Sequence, residues 1–343
     1  MNILITGNQG YIGSVLSTSL LNDGFNIVGY DVGYYRSCNL ILVNDPINQI
    51  NKDIRDICLE DLENIDVVIH LAALSNDPLG DFDENITYEI NHTSTCKIAE
   101  LSKKIGVKRF IFISTQSLYG ISDIQEELDE INSDKNPITA YAKSKYLAEI
   151  DLLNLADDKF DVCIFRPSTV FGSSPRLRCD IVYNNLLGSA FTSNKIEIKS
   201  DGSPWRPVIH VNDVCLAIKA GILFKSEKIN KKIYNIGIKN GNFKVKDIAY
   251  AANKIMPHSS ISFTNEHGSD SRTYKVSFKK ILKDLAEIYK PKYDLINGGK
   301  ELVDYFHKIK FTRESFEGSD TNRLKKLKEL VKNKKINDKL KWY

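Results

Sequence analysis

No two of the six cysteines in this 343-residue chain (Cys38, Cys58, Cys96, Cys163, Cys179 and Cys215) form a C-x-x-C pair. That leaves no zinc framework or redox motif, and free thiols in a reducing cytosol become the default. No apolar run approaches the roughly 20 residues that cross a bilayer, so no membrane partner is implied. The apolar start has neither a basic leader nor a cleavage site, so no signal peptide is expected and the expected location is cytoplasmic. Internal repeats and low-complexity stretches are lacking as well. With 42% hydrophobic and 27% charged residues the composition is that of an ordinary globular protein. The length suits a two-lobed enzyme with a sizeable core.

The net charge of +3 conceals an asymmetry: residues 321–343 carry nine Lys or Arg against two acids. Leu324, Leu327, Leu330 and Val331 recur there at helical spacing. The segment reads as an amphipathic terminal helix docked on the body with its lysines solvated. No aromatic residues interleave with the charges in the manner of a nucleic-acid surface, so this pattern implies no nucleic-acid partner. On this reading the tail stands apart from any nucleotide site, and its removal leaves cofactor binding intact.

What is present begins at once. Asn2-Ile3-Leu4-Ile5-Thr6 has the pattern of a strand, and Val15, Leu16 and Leu20 mark one side of a helix. Between them runs Gly7-Asn8-Gln9-Gly10-Tyr11-Ile12-Gly13. Glycines at this spacing permit a tight turn, close approach of a diphosphate to the backbone, and a helix amino end that faces the phosphate charge. Gln9, Tyr11 and Ile12 fall in the same turn and join the candidate cofactor contacts. A second strand ends at Asp31, eighteen positions after Gly13. An acid there accepts from ribose hydroxyls and repels a 2′-phosphate, which favours NAD over NADP, although nearby Arg36 offsets part of the repulsion. Asp53 and Ile54 follow a third strand and could meet the adenine edge, while Asp53 could equally be a helix cap.

Strand-like runs at 66–71, 109–114 and 161–166 alternate with helix-length stretches at 86–105 and 138–156. This rhythm predicts an α/β fold with a doubly wound, Rossmann-type parallel sheet and a smaller carboxy-terminal substrate lobe. The expected division is 1–170 with 208–237 for the nucleotide domain, 171–207 with 238–318 for the substrate lobe, and 319–343 for the basic helix. Three later strand ends carry informative residues: Leu71-Ala72-Ala73 with Ser75, Ser114-Thr115-Gln116, and Thr169 after Arg166-Pro167-Ser168. Tyr141 and Lys145 sit four apart on the intervening helix, so phenol and ammonium share a face. A cation beside a phenol favours the phenolate, which makes the tyrosine a usable proton shuttle. A hydroxyl, a phenol and an ammonium near a nicotinamide suit hydride transfer to or from a secondary alcohol.

These elements together resemble the extended short-chain dehydrogenase/reductase family, the NAD-dependent nucleotide-sugar epimerases and dehydratases, over about residues 1–310. The resemblance implies Tyr141, Lys145 and Thr115 as catalytic residues, with Ser114 the alternative to Thr115, and it matches Asn91 to the family's helix asparagine. It implies NAD as cofactor, a nucleotide-diphosphate sugar as substrate, and a homodimer formed through the two long helices. Sugar 4,6-dehydratases of the family carry an Asp-Glu pair after the catalytic Thr; here Gln116 and Ser117 stand there, and neither shuttles a proton at neutral pH. Arg206 and Arg272 match positions that clamp the substrate diphosphate, or they are surface arginines. The run 174–186 is similar to a subset that includes nucleotide-heptose 4-dehydrogenases, where Arg176 and Arg178 contact phosphate or sugar, or pair with acids. Ser75, Gln116, Thr169, Arg176, Arg206 and Arg272 are thus the candidate substrate contacts. The expected activity is a 4-epimerase, the alternative a 4-dehydrogenase or 4-ketoreductase, and a non-catalytic nucleotide binder comes last.

Overall fold

A computed structural model describes residues 1–41, 46–80, 82–122, 126–264 and 273–343. Six strands enter one sheet in succession: β1 (Asn2–Thr6), β2 (Asn26–Asp31), β3 (Asn48–Asn51), β4 (Val67–His70), β5 (Arg109–Ile113) and β6 (Asp161–Pro167). Strands β7 (Thr169–Phe171), β8 (Lys195–Ile198) and β9 (Trp205–His210) leave it, and β10 (Lys232–Ile236) rejoins it. Strands β11 (Asn242–Lys244) and β12 (Ser260–Phe263) lie outside again. The large sheet runs β10-β6-β5-β4-β1-β2-β3 and every pairing in it is parallel. Its order reverses between β1 and β4, so the crevice beyond their carboxyl ends is where a ligand fits in such a fold.

Central strands such as β4 and β5 are apolar at nearly every position because helices cover both faces. On one face the helices Tyr11–Asn22 and Val211–Leu223 bury Leu16, Leu20, Val214 and Ile218 against Ile3, Ile5 and Phe165. On the other, helices Ser94–Ile105 and Ala140–Leu155 bury Ile98, Ala148 and Leu152 against Leu4, Val68 and Phe112. A third core gathers Tyr183, Leu187, Ile248, Leu302 and Phe306 from helices Val182–Ser193, Val245–Ile255 and Leu295–Lys308, with Phe171 of β7 and Ile196 of β8. Strand β9 pairs with β7 and β11, so the chain first re-enters the large sheet at β10.

Two expectations are corrected. The stretch 86–105 is not one regular helix: a π-helical turn over Glu89–Thr93 separates Glu84–Tyr88 from Ser94–Ile105. The turn surrounds Asn91, whose buried amide accepts from Leu74 N–H and donates to the Leu74 carbonyl and Ser144 Oγ. Such insertions commonly serve a side chain that must be aimed. The terminal helix is Arg323–Lys332, but its basic residues are not all solvated: Arg323 and Lys326 are buried along with Leu327.

Beneath the Ala140–Leu155 helix, Glu149 and Arg166 form a buried bidentate pair at 2.5 and 2.9 Å, each side chain 1% exposed. Arg166 also donates to the Tyr119 hydroxyl. The pair fastens that helix to β6. Removing one partner strands a buried charge, so Glu149→Leu is expected to cost about 3–5 kcal/mol in urea unfolding. Glu149→Leu combined with Arg166→Met is expected to recover most of that loss.

Candidate active site

The turn after β1 is built for close approach. Gly7 has φ +75°, and a Cβ there would lie 2.7 Å from the Ala72 amide nitrogen. A Cβ on Gly13 would lie 2.1 Å from the Gly7 carbonyl oxygen. The helix starting at Tyr11 has Gly10 as its N-cap, with no side-chain cap and no acid in its first turn. Its amino end therefore keeps its partial positive charge for an anion. Asp31 closes the far side: its carboxylate accepts from Gln9 N–H at 3.1 Å and Gly33 N–H at 2.7 Å. Burial pushes its pKa up, and those two hydrogen bonds with Arg176 and Arg36 oppose the rise. A carboxylate has acceptor capacity for about four donors, which leaves room for the two ribose hydroxyls.

This turn opens into one cavity of about 820 Å³ that passes over the carboxyl ends of β1, β4 and β5. Of the cofactor candidates, Gly7, Gly10, Tyr11, Ile12, Gly13, Asp31, Asp53, Ile54, Leu71, Ala72, Ala73 and Ser114 all reach its wall. Gln9 does not; it faces a small neighbouring pocket, and only its backbone takes part through Asp31. Asp53 serves both readings, since it lines the cavity while capping Arg55 N–H at 2.9 Å and pairing with the Arg55 guanidinium. Burial alone would raise its carboxyl; Arg55 outweighs that and holds it below the ordinary carboxylate range.

Tyr141, Lys145 and Thr115 meet on this same wall. Thr139 caps the helix that carries the first two, accepting from Ala142 N–H, and its hydroxyl donates to Asp77. A Cβ at Gly80 would stand 2.8 Å from Tyr141 Cβ, so the 77–80 turn packs directly on the tyrosine. Lys145 is 2% exposed, donates to the Ile113 carbonyl at 2.9 Å and lies 4.5 Å from the centre of the Phe112 ring. Desolvation brings its pKa down to about 7, with Glu149 one turn on resisting the fall. Thr115 Oγ1 accepts from Ser117 N–H at 3.1 Å, which leaves its hydroxyl proton to donate elsewhere. The alternative, Ser114, has a buried hydroxyl with no partner among the described residues.

The candidate substrate contacts divide. Ser75, Thr169 and Arg206 line the cavity. Gln116 lines it too, but its amide is committed to the protein: Nε2 donates to the Arg166 and Ile236 carbonyls, and Oε1 accepts from Ser168. These bonds hold the amide against the sheet within the cavity wall. Arg176 is corrected, because it turns away from this cavity to donate to the Gln9 and Tyr35 carbonyls. Arg178 takes the cavity position instead, bidentate to Asp180 at 2.8 and 3.0 Å and donating to Ser75 Oγ at 3.2 Å. Arg272 lies outside the described residues. Sequence reasoning missed Asp180, Tyr34, Tyr35 and Arg323 on the wall. Only Asp180 carried a signal, an acid two residues from an arginine.

Fold and site together set a Tyr/Lys pair and a glycine turn on one cavity at the switch point of a doubly wound sheet. The profile of the NAD dependent epimerase/dehydratase family matches residues 3–237, and the chain belongs to that family. It is 29% identical to dTDP-D-glucose 4,6-dehydratase of Mus musculus over 330 residues, 89% of this chain and 88% of that one. It is 23% identical to UDP-glucuronic acid decarboxylase 1 of Xenopus tropicalis over 314 residues, 89% and 72% of the two chains. Among solved structures it resembles UDP-glucuronic acid 4-epimerase from Bacillus cereus in complex with UDP-glucuronic acid and NAD, with TM-score 0.76 and 26% identity. That match covers 90% of this chain and all of the other. The protein is an NAD-dependent enzyme of the sugar-nucleotide type.

Two outcomes test the site. Gly13→Ala is expected to raise the Kd for NAD about 10–100-fold by calorimetry, the loss of one or two charge-assisted hydrogen bonds to the diphosphate. For Lys145, the unfolded side chain holds its proton up to its ordinary value of 10.5, whereas the buried one releases it near 7. Between those values the unfolded state binds more protons, so stability rises with pH. Urea titrations across that window should show wild-type cofactor-free protein gaining on Lys145→Met as pH rises.

Proposed function

We propose that this enzyme interconverts nucleotide sugars at a ring hydroxyl, as a 4-epimerase. The observation that carries the reading is a single cavity that joins Tyr141, Lys145 and Thr115 to the glycine cradle at one end and takes in Arg206 of the smaller lobe. NAD, held by the glycine turn and Asp31, would supply reversible acceptance of a hydride. The chain's own part is proton handling. Tyr141 takes the proton from the sugar hydroxyl and later returns it. The Lys145 ammonium favours the phenolate that this requires, and Thr115 donates to the sugar oxygen to keep it in place. Arg206 offers a guanidinium fork for the substrate diphosphate.

Dehydration is disfavoured, although a 4,6-dehydratase is among the similar proteins. The residue after Thr115 is Gln116, and its amide is hydrogen-bonded to two backbone carbonyls. Neither it nor Ser117 can pass a proton at neutral pH. The alternative, a net 4-dehydrogenase or 4-ketoreductase, uses the same residues. The UDP-glucuronic acid 4-epimerase likeness, covering the whole of that chain, supports the epimerase over it. We infer in addition a homodimer through the Ser94–Ile105 and Ala140–Leu155 helices, where Ile105, Leu147 and Ile150 remain exposed. Among the described residues no helix is long and apolar enough to cross a membrane.

Purified protein offered UDP-, GDP-, dTDP- and CDP-sugars should convert one to its C4 epimer without net change in NADH absorbance. A stoichiometric NADH change identifies the oxidoreductase instead. Tyr141→Phe should retain NAD and lose about 10²–10⁴-fold in turnover, the range for a positioned proton-transfer group.

A further inference from the structure

The carboxy-terminal segment contacts the adenosine side of the cavity through several separate residues. Arg323, at the start of the last helix, is 2% exposed and lies on the cavity wall. Its guanidinium stacks on the Tyr35 ring at 4.5 Å and donates to the Arg176 carbonyl at 2.6 Å. Its backbone N–H points to the Asp180 carboxylate at 3.4 Å. Tyr35 and Asp180 are themselves wall residues.

Beyond the helix the chain doubles back, with Ile336 bridging to Trp342, and Ile336 and Leu340 enter the core beside Tyr34 and Ile54. The Leu340 carbonyl accepts from the Tyr34 hydroxyl and from Arg55, and the Lys339 carbonyl accepts from Arg55 at 2.9 Å. Trp342 donates its indole N–H to the Val32 carbonyl at 2.7 Å. Lys341 bridges Asp56 at 2.6 Å and reaches Asp53 at 3.7 Å. The loops thus gripped follow β2 and β3, the strand ends that carry Asp31 and Asp53.

We propose that the carboxy-terminal segment is a component of the NAD site, with Arg323 forming part of its wall and residues 336–342 bracing the two adenosine-side loops. A loop with few buried contacts pays an ordering cost when it closes on a ligand, and bracing it beforehand removes that cost from binding. The inference rests on the use of NAD and not on the C4 reading. A protein that binds NAD yet turns over no sugar leaves it standing.

The test is direct NAD binding by calorimetry, with the NAD content of the purified protein as a second measure. Deletion of residues 333–343, Arg323→Gln and Lys341→Ala are compared with wild type. Lys328→Glu/Lys332→Glu, on exposed positions of the same helix, controls for charge alone. The deletion and Arg323→Gln are expected to raise Kd tenfold or more and Lys341→Ala two- to threefold, with the control unchanged. Wild-type Kd in a deletion variant that keeps its circular dichroism and thermal transition overturns the proposal. Should the deletion not fold, wild-type Kd in both point variants overturns it equally. An equal loss in the lysine control assigns the effect to net charge and overturns it too.

Discussion

The rest of the site depends on a lysine ammonium kept almost out of water. Lys145 is held between the Ile113 carbonyl and the Phe112 ring, which places it where the fifth strand ends and the cavity begins. A charge in such a place is costly, and the cost appears as a pKa brought down to about 7. The surroundings are arranged to tolerate it: one carbonyl acceptor, one ring face, and the Glu149 carboxylate a turn away. Glu149 is in turn neutralised by Arg166, so the helix bearing Tyr141 is anchored by an ion pair at one level and by a lysine–carbonyl bond at the next. Rotation of that helix would break both, and this fixes the face on which the phenol emerges.

Much of this is legible in the sequence. The glycine turn, Asp31 and the Tyr/Lys spacing concern local geometry, and local geometry is what periodicity and residue type encode. The sheet was legible for the same reason, since runs apolar on both faces have few places to go other than a covered parallel sheet. The arginines were not. Arg176, Arg178 and Arg323 are chemically alike, and pattern could not say that one meets the Gln9 and Tyr35 carbonyls, one meets the cavity with Asp180, and one arrives from the far end of the chain. Gln116 is a similar case: the bonds of an amide at a strand end depend on which carbonyls are unsatisfied nearby. Here the Arg166 and Ile236 carbonyls claimed it. The basic tail misled because net charge dominates its composition, while its burial is decided by Arg323, Leu327, Ile336 and Leu340.

The glycine turn is also tied to the chain that follows β7. The Tyr11 hydroxyl donates to the Gly172 carbonyl at 2.7 Å and accepts from Asn184. Ser174 donates to the Tyr11 carbonyl at 2.8 Å, and Arg176 donates to the Gln9 carbonyl. Each of these bonds links the stretch 9–11 to the stretch 172–184. A shift of residues 172–184 would therefore pull on the glycine turn. For chemistry in which hydrogen leaves a sugar carbon and comes back to its other face, that coupling has a consequence. The cofactor must stay while the sugar reorients. A glycine turn stitched to residues 172–184, with the loops after β2 and β3 gripped by the carboxy-terminal segment, favours retention.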